Sequence, residues 1–432
     1  MMKEAIKIGL LGSGTVGSGV VRVLRENMEE ITARVGTRLV LAKVLVRDVK
    51  KLRPYLEGVE LTDRVEDILE DDEISIVVEV MGGIKPAKDY MLRALAAGKN
   101  VVTANKDVVA QYGHELFDMA EAHDADFRFE ASVGGGIPII MPLKQCLTAN
   151  RITEIMGIVN GTTNYMLTKM SECGASYDDV LKEAQEKGYA EANPSADVDG
   201  LDAARKAAIL SSIAFNTRIS LDDVSVEGIT KITPDDIAYA KNLGYVVKLL
   251  AIGKETDEGI NVRVHPVFLP EEHPLASVNG VFNAIFVRGN AVGEAMFYGP
   301  GAGSLPTASA VVADIIDVAR DIVNHSFGRV NCTCYRKKVL CPIEKTRSSY
   351  YVRLLVEDKP GVLGAIATAF GNADVSLQSV IQTQRDKKEH AEIVAITHCV
   401  PHANILTALD VLNALPVVSE VRNLIRVEND RG

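Results

Sequence analysis

Ala5-Ile6-Lys7-Ile8-Gly9-Leu10-Leu11-Gly12-Ser13-Gly14-Thr15-Val16-Gly17 reads as a buried strand that runs straight into three glycines and then a helix. Glycines spaced Gly-x-Gly-x-x-Gly occur by chance, but a strand before them and a helix after them is the setting that holds a dinucleotide. Gly12 permits the tight turn, Gly14 lets the backbone approach a pyrophosphate, and Gly17 lets helix and strand pack closely. The helix N-terminus adds free N–H groups and a partial positive charge for the phosphates.

Outward from this unit the chain alternates. A helix is expected from about Thr15 to Glu30, then strands at Leu39–Val46 and Ile74–Val80. A helix over 86–97 ends at Gly98, and strands follow at Asn100–Thr103 and Phe127–Ala131. Such alternation makes βαβ units and a parallel sheet. After about Ser132 the pattern changes. Gly134-Gly135-Gly136-Ile137-Pro138 is a breaker cluster, followed by a helix to Asn150, a strand over 153–160 and a turn signal at Asn160-Gly161. Helical segments at 163–172, 177–186 and 200–214, with strand-type alternation within 245–290, make a mixed α/β domain. Leu305 to His325 is a long helix expected to return to the first domain. Residues 331–349 carry three cysteines, Pro342 and the basic set Arg336, Lys337, Lys338, Lys345 and Arg347, and read as a linker whose charges make a solvated tether.

The remainder has strands at Tyr350–Val356, Val375–Thr383, Glu392–Val400 and Val417–Val427, with helices at Gly361–Phe370 and Ala403–Leu412. This βαββαβ order is ferredoxin-like. The expected fold class is α/β: a Rossmann-type nucleotide-binding domain over 1–131, a mixed α/β catalytic domain over 132–304, a returning helix over 305–330, a linker over 331–349 and a ferredoxin-like domain over 350–432.

Composition narrows the function. Apolar residues are 47% and charged residues 24% of 432, the balance of a globular protein of two or three domains. A net charge of -11 and the absence of Trp argue against nucleic acid, which needs a basic excess and stacking platforms. No stretch approaches the ~20 uninterrupted apolar residues of a membrane span. The start, Met1-Met2-Lys3-Glu4-Ala5-Ile6-Lys7, has no apolar leader region. Cys146, Cys173, Cys332, Cys334, Cys341 and Cys399 are too few for a disulfide scaffold, so a reduced, cytoplasmic setting is expected. No His pair or second Cys pair completes a zinc pattern around Cys332, Cys334 and Cys341.

A 2′-hydroxyl wants an acid at the end of the second strand, and a 2′-phosphate wants Arg. The strand ends Val44-Leu45-Val46-Arg47-Asp48, with Lys50 and Lys51 behind, so NADP is favoured; Asp48 keeps NAD open. Arg47 lies about 30 residues past Gly17 rather than about 20, so the first crossover is long.

The run from Gly188 to Lys206 gathers Glu191, Asp197 and Asp199 ahead of a helix on which Asp202 and Lys206 share one face. Spacing alone reads as a surface ion pair, whereas the upstream acids suit a substrate ammonium group. Lys106, in Thr103-Ala104-Asn105-Lys106, stands at the C-terminal edge of a parallel strand, where open α/β sheets hold ligands. When hydride reaches a carbonyl carbon its oxygen needs a proton, which a lysine in a closed site can supply. Cys146 lies in a helical pattern with no His nearby in sequence and reads as core. The pair Tyr165-x-x-x-Lys169 falls outside the setting in which short-chain reductases use it.

Taken together, Gly9-Leu-Leu-Gly-Ser-Gly-Thr-Val-Gly17, Thr103-Ala-Asn-Lys106, Glu130-Ala-Ser-Val-Gly-Gly-Gly-Ile-Pro138, Asn160-Gly-Thr-Thr-Asn164, Glu191 through Lys206 and Gly299-Pro-Gly-Ala-Gly-Ser-Leu-Pro-Thr307 resemble homoserine dehydrogenase. The resemblance covers residues 5–325, and Val356-Glu-Asp-Lys-Pro-Gly-Val-Leu363 resembles an ACT domain. It implies reversible NAD(P)-dependent interconversion of L-homoserine and L-aspartate 4-semialdehyde in threonine, methionine and isoleucine biosynthesis. It implies that Lys206 protonates the aldehyde oxygen as hydride arrives and that Lys106 borders cofactor and substrate. Glu191 would hold the substrate amine, Asp197 and Asp202 would complete the pocket, and Gly161 and Thr162 would approach through backbone groups. The expected cofactor contacts are Leu11, Gly12, Gly14, Thr15, Val16, Gly17, Arg47, Thr103, Lys106 and Gly303. A monovalent cation, usually sodium, is implied at Glu130, Val133, Gly135 and Ile137, largely through backbone carbonyls; the residues alone read also as a flexible connector. Threonine is the implied effector of the tail, near Asp358-Lys359-Pro360-Gly361, against a purely assembling role. A homodimer or homotetramer is expected, because the family dimerises through its middle domain and ACT modules pair. An acylating semialdehyde dehydrogenase would need a Cys and a His within reach, and no cysteine here has that setting.

Overall fold

The computed structural model describes residues 5–384 and 390–428. Residues 1–4, part of the stretch read for a leader, lie outside it, as do 385–389 and 429–432 of the tail. In chain order the first elements are β1 (Ala5–Leu11), α1 (Thr15–Glu26), α2 (Met28–Val35), β2 (Arg38–Leu45), β3 (Glu60–Thr62), α3 (Glu66–Leu69), β4 (Ile74–Glu79), α4 (Ala87–Ala96), β5 (Asn100–Thr103), α5 (Lys106–Ala122) and β6 (Phe127–Arg128). Then come β7 (Ile152–Ile158), α6 (Gly161–Cys173), α7 (Tyr177–Glu186), α8 (Ser195–Val198), α9 (Leu201–Ala214), β8 (Val224–Val226), α10 (Pro234–Asn242), β9 (Tyr245–Thr256), β10 (Gly259–Pro270), β11 (Phe282–Gly289), β12 (Gly293–Pro300) and α11 (Ser304–Asn324). The tail holds β13 (Arg347–Glu357), α12 (Val362–Asn372), β14 (Leu377–Gln384), β15 (His390–Thr397), β16 (Val400–Pro401), α13 (His402–Ala414) and β17 (Val418–Val427).

The chain divides into two compact units. One comprises Met1–Ile155, Arg205–Asp223 and Phe282–Lys338; the other comprises Met156–Ala204, Val224–Val281 and Val339–Gly432.

In the first unit a parallel sheet runs β3-β2-β1-β4-β5-β6. Its central strands are apolar on both faces because helices cover both. α1, α2 and α11 share one core with it, through Ile8, Leu10, Val20, Leu24, Ile31, Val311 and Ile315. The helix expected to reach Glu30 breaks at Asn27, whose φ of -110° and ψ of 21° end α1 and open α2. That extra helix is the physical reason Arg47 lies so far from Gly17. β6 stops earlier than expected, at Arg128, and the helix expected up to Asn150 is a single π-helical turn, Pro142–Cys146. Cys146 is exposed at the end of that turn and is not core. The pattern also did not predict α5, α10 or the β11–β12 hairpin.

In the second unit the sheet runs β9-β10-β17-β13-β15-β14, and β10 meets β17 in parallel through Val267–Arg426 and Phe268–Val427. The tail keeps the βαββαβ order around its own core of Tyr350, Val352, Leu354, Ile366, Phe370 and Ile405. It is tied to α10 by a buried network. Arg353 Nη1 lies 3.1 Å from Asp235, Arg353 Nε 3.0 Å from Asp236, and Tyr351 Oη donates to Asp236 at 3.0 Å.

The basic segment read as a solvated tether is instead laid along its neighbours. The Arg336 N–H donates to Asn216 O at 2.8 Å, and Lys338 pairs with Asp223 at 2.8 Å. Further on, the Cys341 N–H donates to Ile260 O at 2.9 Å and Lys345 pairs with Glu258 at 3.0 Å. Backbone donors and acceptors outside regular elements need partners wherever they are covered, and this segment finds them on the body of each unit. Among the described residues no helix is long and apolar enough to cross a membrane.

Candidate active site

At the end of β1 the backbone turns at Gly12, whose φ of +103° is a left-handed conformation that favours glycine. A Cβ on Gly17 would stand 2.3 Å from the carbonyl oxygen of Gly12, so only glycine lets the helix pack this close. A Cβ on Gly14 would meet nothing within 4 Å, which leaves open space above the turn. No side chain caps α1, so its first N–H groups are left for an anion. Ser304 Oγ donates to Thr15 O at 2.6 Å, which brings Gly303, with a φ of +124°, beside this loop.

The neighbouring strand ends are held by a residue the sequence reading passed over. Glu79, fully buried at the end of β4, accepts from Thr103 Oγ1 at 2.7 Å and from the Met81 N–H at 2.8 Å. Thr103 Oγ1 accepts the Asn105 N–H at 3.0 Å, and Asn105 Oδ1 accepts the Val108 N–H and caps α5. An acid inside an otherwise apolar strand was the available signal, since a buried carboxylate needs donors. The result is that Lys106 opens α5 directly at the C-terminal edge of the parallel sheet. Asp107 beside it forms an ion pair with Arg205 at 2.8 Å. Within the first unit this pair joins the start of α5 to the turn of α9 that carries Lys206.

The remaining expected substrate residues belong to the second unit, where Asn160 organises them. Its Nδ2 donates to Asp197 at 2.7 Å and to Asp202 at 2.9 Å, while its Oδ1 accepts the Thr163 N–H at 2.9 Å and caps α6. Asn160-Gly161 is therefore a strand-to-helix boundary, not the turn its dipeptide suggested. Asp202 is buried, so the reading of a surface ion pair fails. Thr162 Oγ1 donates to Tyr189 O at 2.6 Å, and Glu191 is exposed on the loop beyond. Asn160→Ala removes two bonds to carboxylates and a helix cap. It is expected to lower unfolding stability by about 2–3 kcal/mol and to raise KM for the substrate, read by denaturant titration and initial rates. Unchanged values of both would deny Asn160 this role.

Tyr165 and Lys169 do not act as a pair. Tyr165 Oη donates to Glu183 at 2.6 Å and accepts from Lys187 at 2.8 Å, whereas Lys169 pairs with Glu172. Asn164 has a structural partner that sequence did not reveal. Lys248, buried, donates to Val278 O at 2.6 Å and to Asn164 Oδ1 at 3.4 Å, and burial lowers its ammonium pKa to about 8.

The glycine-rich segment after β6 is a rigid turn. Glu130 accepts the N–H groups of Ile139 at 2.6 Å, Ile140 at 2.8 Å and Met141 at 2.7 Å. Its own N–H donates to Asp314 at 2.8 Å. Burial pushes the carboxyls of Glu130 and Asp314 above the usual range, each against some relief from backbone bonding. Gly134 and Gly135, with φ of +75° and +54°, turn the chain, and a Cβ on Gly135 would stand 2.4 Å from Gly301 O. Among the described residues no cluster of three His, Cys, Asp or Glu side chains could hold a metal ion.

Residues 12–130 match the family description "Homoserine dehydrogenase, NAD binding domain", 138–316 match "Homoserine dehydrogenase" and 350–417 match "ACT domain". The chain is 44% identical to the homoserine dehydrogenase of Bacillus subtilis (strain 168) over 433 residues, covering 99% of both. A crystal structure of a homoserine dehydrogenase from Thiobacillus denitrificans superposes with a TM-score of 0.94 at 43% identity, over 99% of this chain and 100% of that one. A hyperthermophilic archaeal homoserine dehydrogenase in complex with NADPH is similar with a TM-score of 0.64 at 29% identity, over 76% of this chain and all of that one.

Proposed function

The chain belongs to the homoserine dehydrogenase family, and we propose that Lys206 carries the proton in its interconversion of L-homoserine and L-aspartate 4-semialdehyde. The protein is an NAD(P)-dependent oxidoreductase. The observation that carries the assignment is the Arg205–Asp107 ion pair, which sets the α9 turn bearing Lys206 against the sheet edge at Lys106.

When bound, the nicotinamide supplies the hydride in one direction and accepts it in the other. Leu11, Gly12, Gly14, Thr15, Val16 and Gly17 would hold the pyrophosphate, a role supported by the open space over Gly14 and the uncapped start of α1. Thr103 and Lys106 would border the nicotinamide from the strand end, with Gly303 opposite. Lys206 gives its proton to the substrate oxygen as charge develops there, and Lys106 adds positive charge nearby. Glu191 and Asp197 take the substrate ammonium, Asp202 braces the same cluster, and Gly161 and Thr162 offer backbone groups.

NADP is the preferred form in this reading. Arg47 and Lys51 are exposed beyond β2, whereas Asp48 is folded into its own turn, accepting the Lys50 N–H at 2.9 Å. Arg47→Ser is expected to weaken NADPH binding about tenfold while leaving NADH unchanged, read by nicotinamide fluorescence titration. Equal effects on both cofactors would remove Arg47 from the 2′-phosphate.

A sodium ion fits the turn at Glu130, Val133, Gly135 and Ile137. The Glu130 carboxylate already accepts three backbone N–H groups, so backbone carbonyls of the turn would be the ligands. Threonine is the effector proposed for the tail, because α12 begins uncapped after Gly361 at a φ of +92°. A homodimer or homotetramer is supported by the exposed Phe282, Met296 and Tyr298 on the β11–β12 hairpin. A cytoplasmic setting, and a place in threonine, methionine and isoleucine biosynthesis, complete the reading; the free cysteines are in keeping with the first.

A further inference from the structure

We propose that Cys332 and Cys334 are a peroxide-sensitive dithiol that closes to an intrachain disulfide, a modification site separate from the residues assigned to homoserine chemistry. The pair lines a cavity of about 290 Å³ in the first unit, together with Phe117, Phe129, Lys144 and Arg218. Three features of this cavity fit oxidation chemistry. First, Cys332 and Cys334 line the same cavity two residues apart, and the Cys334 S–H donates to Ser212 O at 3.8 Å. Second, Lys144 is buried with its ammonium over the rings of Phe117, at 4.6 Å, and Phe129, at 5.5 Å, and among the described residues no carboxylate pairs with it. Third, the Thr333 hydroxyl is buried without a hydrogen-bond partner and lines the same space, leaving a donor and an acceptor for a small polar guest.

These surroundings divide the labour between the sulfurs. The neighbouring Cys334 side chain, with the charges of Lys144 and Arg218, draws the Cys332 thiol down to about 5, while Cys332 and burial push Cys334 up. That lowering makes Cys332 the nucleophile of the pair. Cys146, Cys173 and Cys399 are exposed, and Cys341 is buried.

The step balances with hydrogen peroxide as oxidant. The Cys332 thiolate sulfur attacks one peroxide oxygen, the O–O bond breaks, and the other oxygen leaves as hydroxide, which takes a proton from solvent to become water, giving a sulfenic acid. Cys334 sulfur then attacks Cys332 sulfur; the S–S bond forms, the S–O bond breaks, and hydroxide leaves as water with the Cys334 proton. Residues two apart span roughly 6–7 Å between Cα atoms when extended, near the upper end of the disulfide range. Both cysteines lie outside helices and strands, so closure turns on the backbone at Thr333.

The test treats the reduced full chain with up to one equivalent of hydrogen peroxide, blocks remaining thiols with N-ethylmaleimide, and maps every cysteine by peptide mass spectrometry. The expected result is a Cys332–Cys334 peptide that has lost two hydrogens and takes no label, while Cys146, Cys173 and Cys399 remain alkylated. Dithiothreitol should reverse it. Cys334→Ser should stop at a sulfenic acid on Cys332 that dimedone traps. Lys144→Met should slow closure at least about tenfold. Earlier oxidation of the exposed cysteines, or a Cys332 sulfinic acid beside a free Cys334, overturns the proposal. Should Lys144→Met fail to fold, the Cys334→Ser trapping result decides alone.

Discussion

Lys206→Ala is expected to lower kcat by about 10²–10⁴-fold, the range general acid–base catalysis contributes, while NADPH binding stays near wild type. The asymmetry follows from position. Lys206 lies on α9, one helical turn beyond Asp202, and the residues proposed to hold the cofactor lie on β1, on α1 and at the ends of β2 and β5. Loss of a proton donor acts on the transition state, so kcat falls rather than cofactor affinity. Small primary amines added to the assay should restore part of the rate. Stopped-flow turnover with matched fluorescence titrations reads both quantities, and near wild-type turnover would take Lys206 out of the proton's path.

The second large effect is structural. Arg353→Met is expected to cost about 3–5 kcal/mol of unfolding stability, the usual cost of removing one partner from a buried ion network. Arg353 is 3% exposed at its side chain, and Asp236 and Glu392, both fully buried, lie 3.0 and 3.6 Å from it. Arg353→Lys should recover little, because one ammonium cannot serve three carboxylates as a planar guanidinium does. Since the network ties the tail to α10, any response of the enzyme to threonine should vanish with it. Denaturant titrations and threonine-dependent rates check this; a loss under about 1 kcal/mol would mean strand pairing of β10 with β17 holds the tail by itself.

Much of this architecture is local and therefore readable from the chain. The glycine turn, the alternating strands and helices to β5, and the ferredoxin-like tail all follow from periodicity and breakers. What escaped depends on partners far along the chain. Asn27 ends a helix that its neighbours would continue. Asn160 resembles a turn residue until Asp197 and Asp202 stand opposite it. Glu130 and Glu79 are single acids, the first bound by the N–H groups of Ile139, Ile140 and Met141 and the second by Thr103 as well as by its own turn. The basic run at 331–349 looks like a tether because its acceptors, at Asn216, Asp223 and Glu258, are nowhere near it in sequence. At the site, lysine and acid types were legible, but which of them share a unit was not. The Arg205–Asp107 pair supplies that information for the two lysines.

The most direct test of the central claim is homoserine-dependent reduction of NADP by the full chain, followed by nicotinamide absorbance, with 4-hydroxybutyrate as the amine-free control. Steady turnover is expected with homoserine and a loss of at least about tenfold in kcat/KM with the control, because Glu191 and Asp197 are assigned to the ammonium group. Turnover that ignores the amine, or none with homoserine above the cofactor-only background, would contradict the claim.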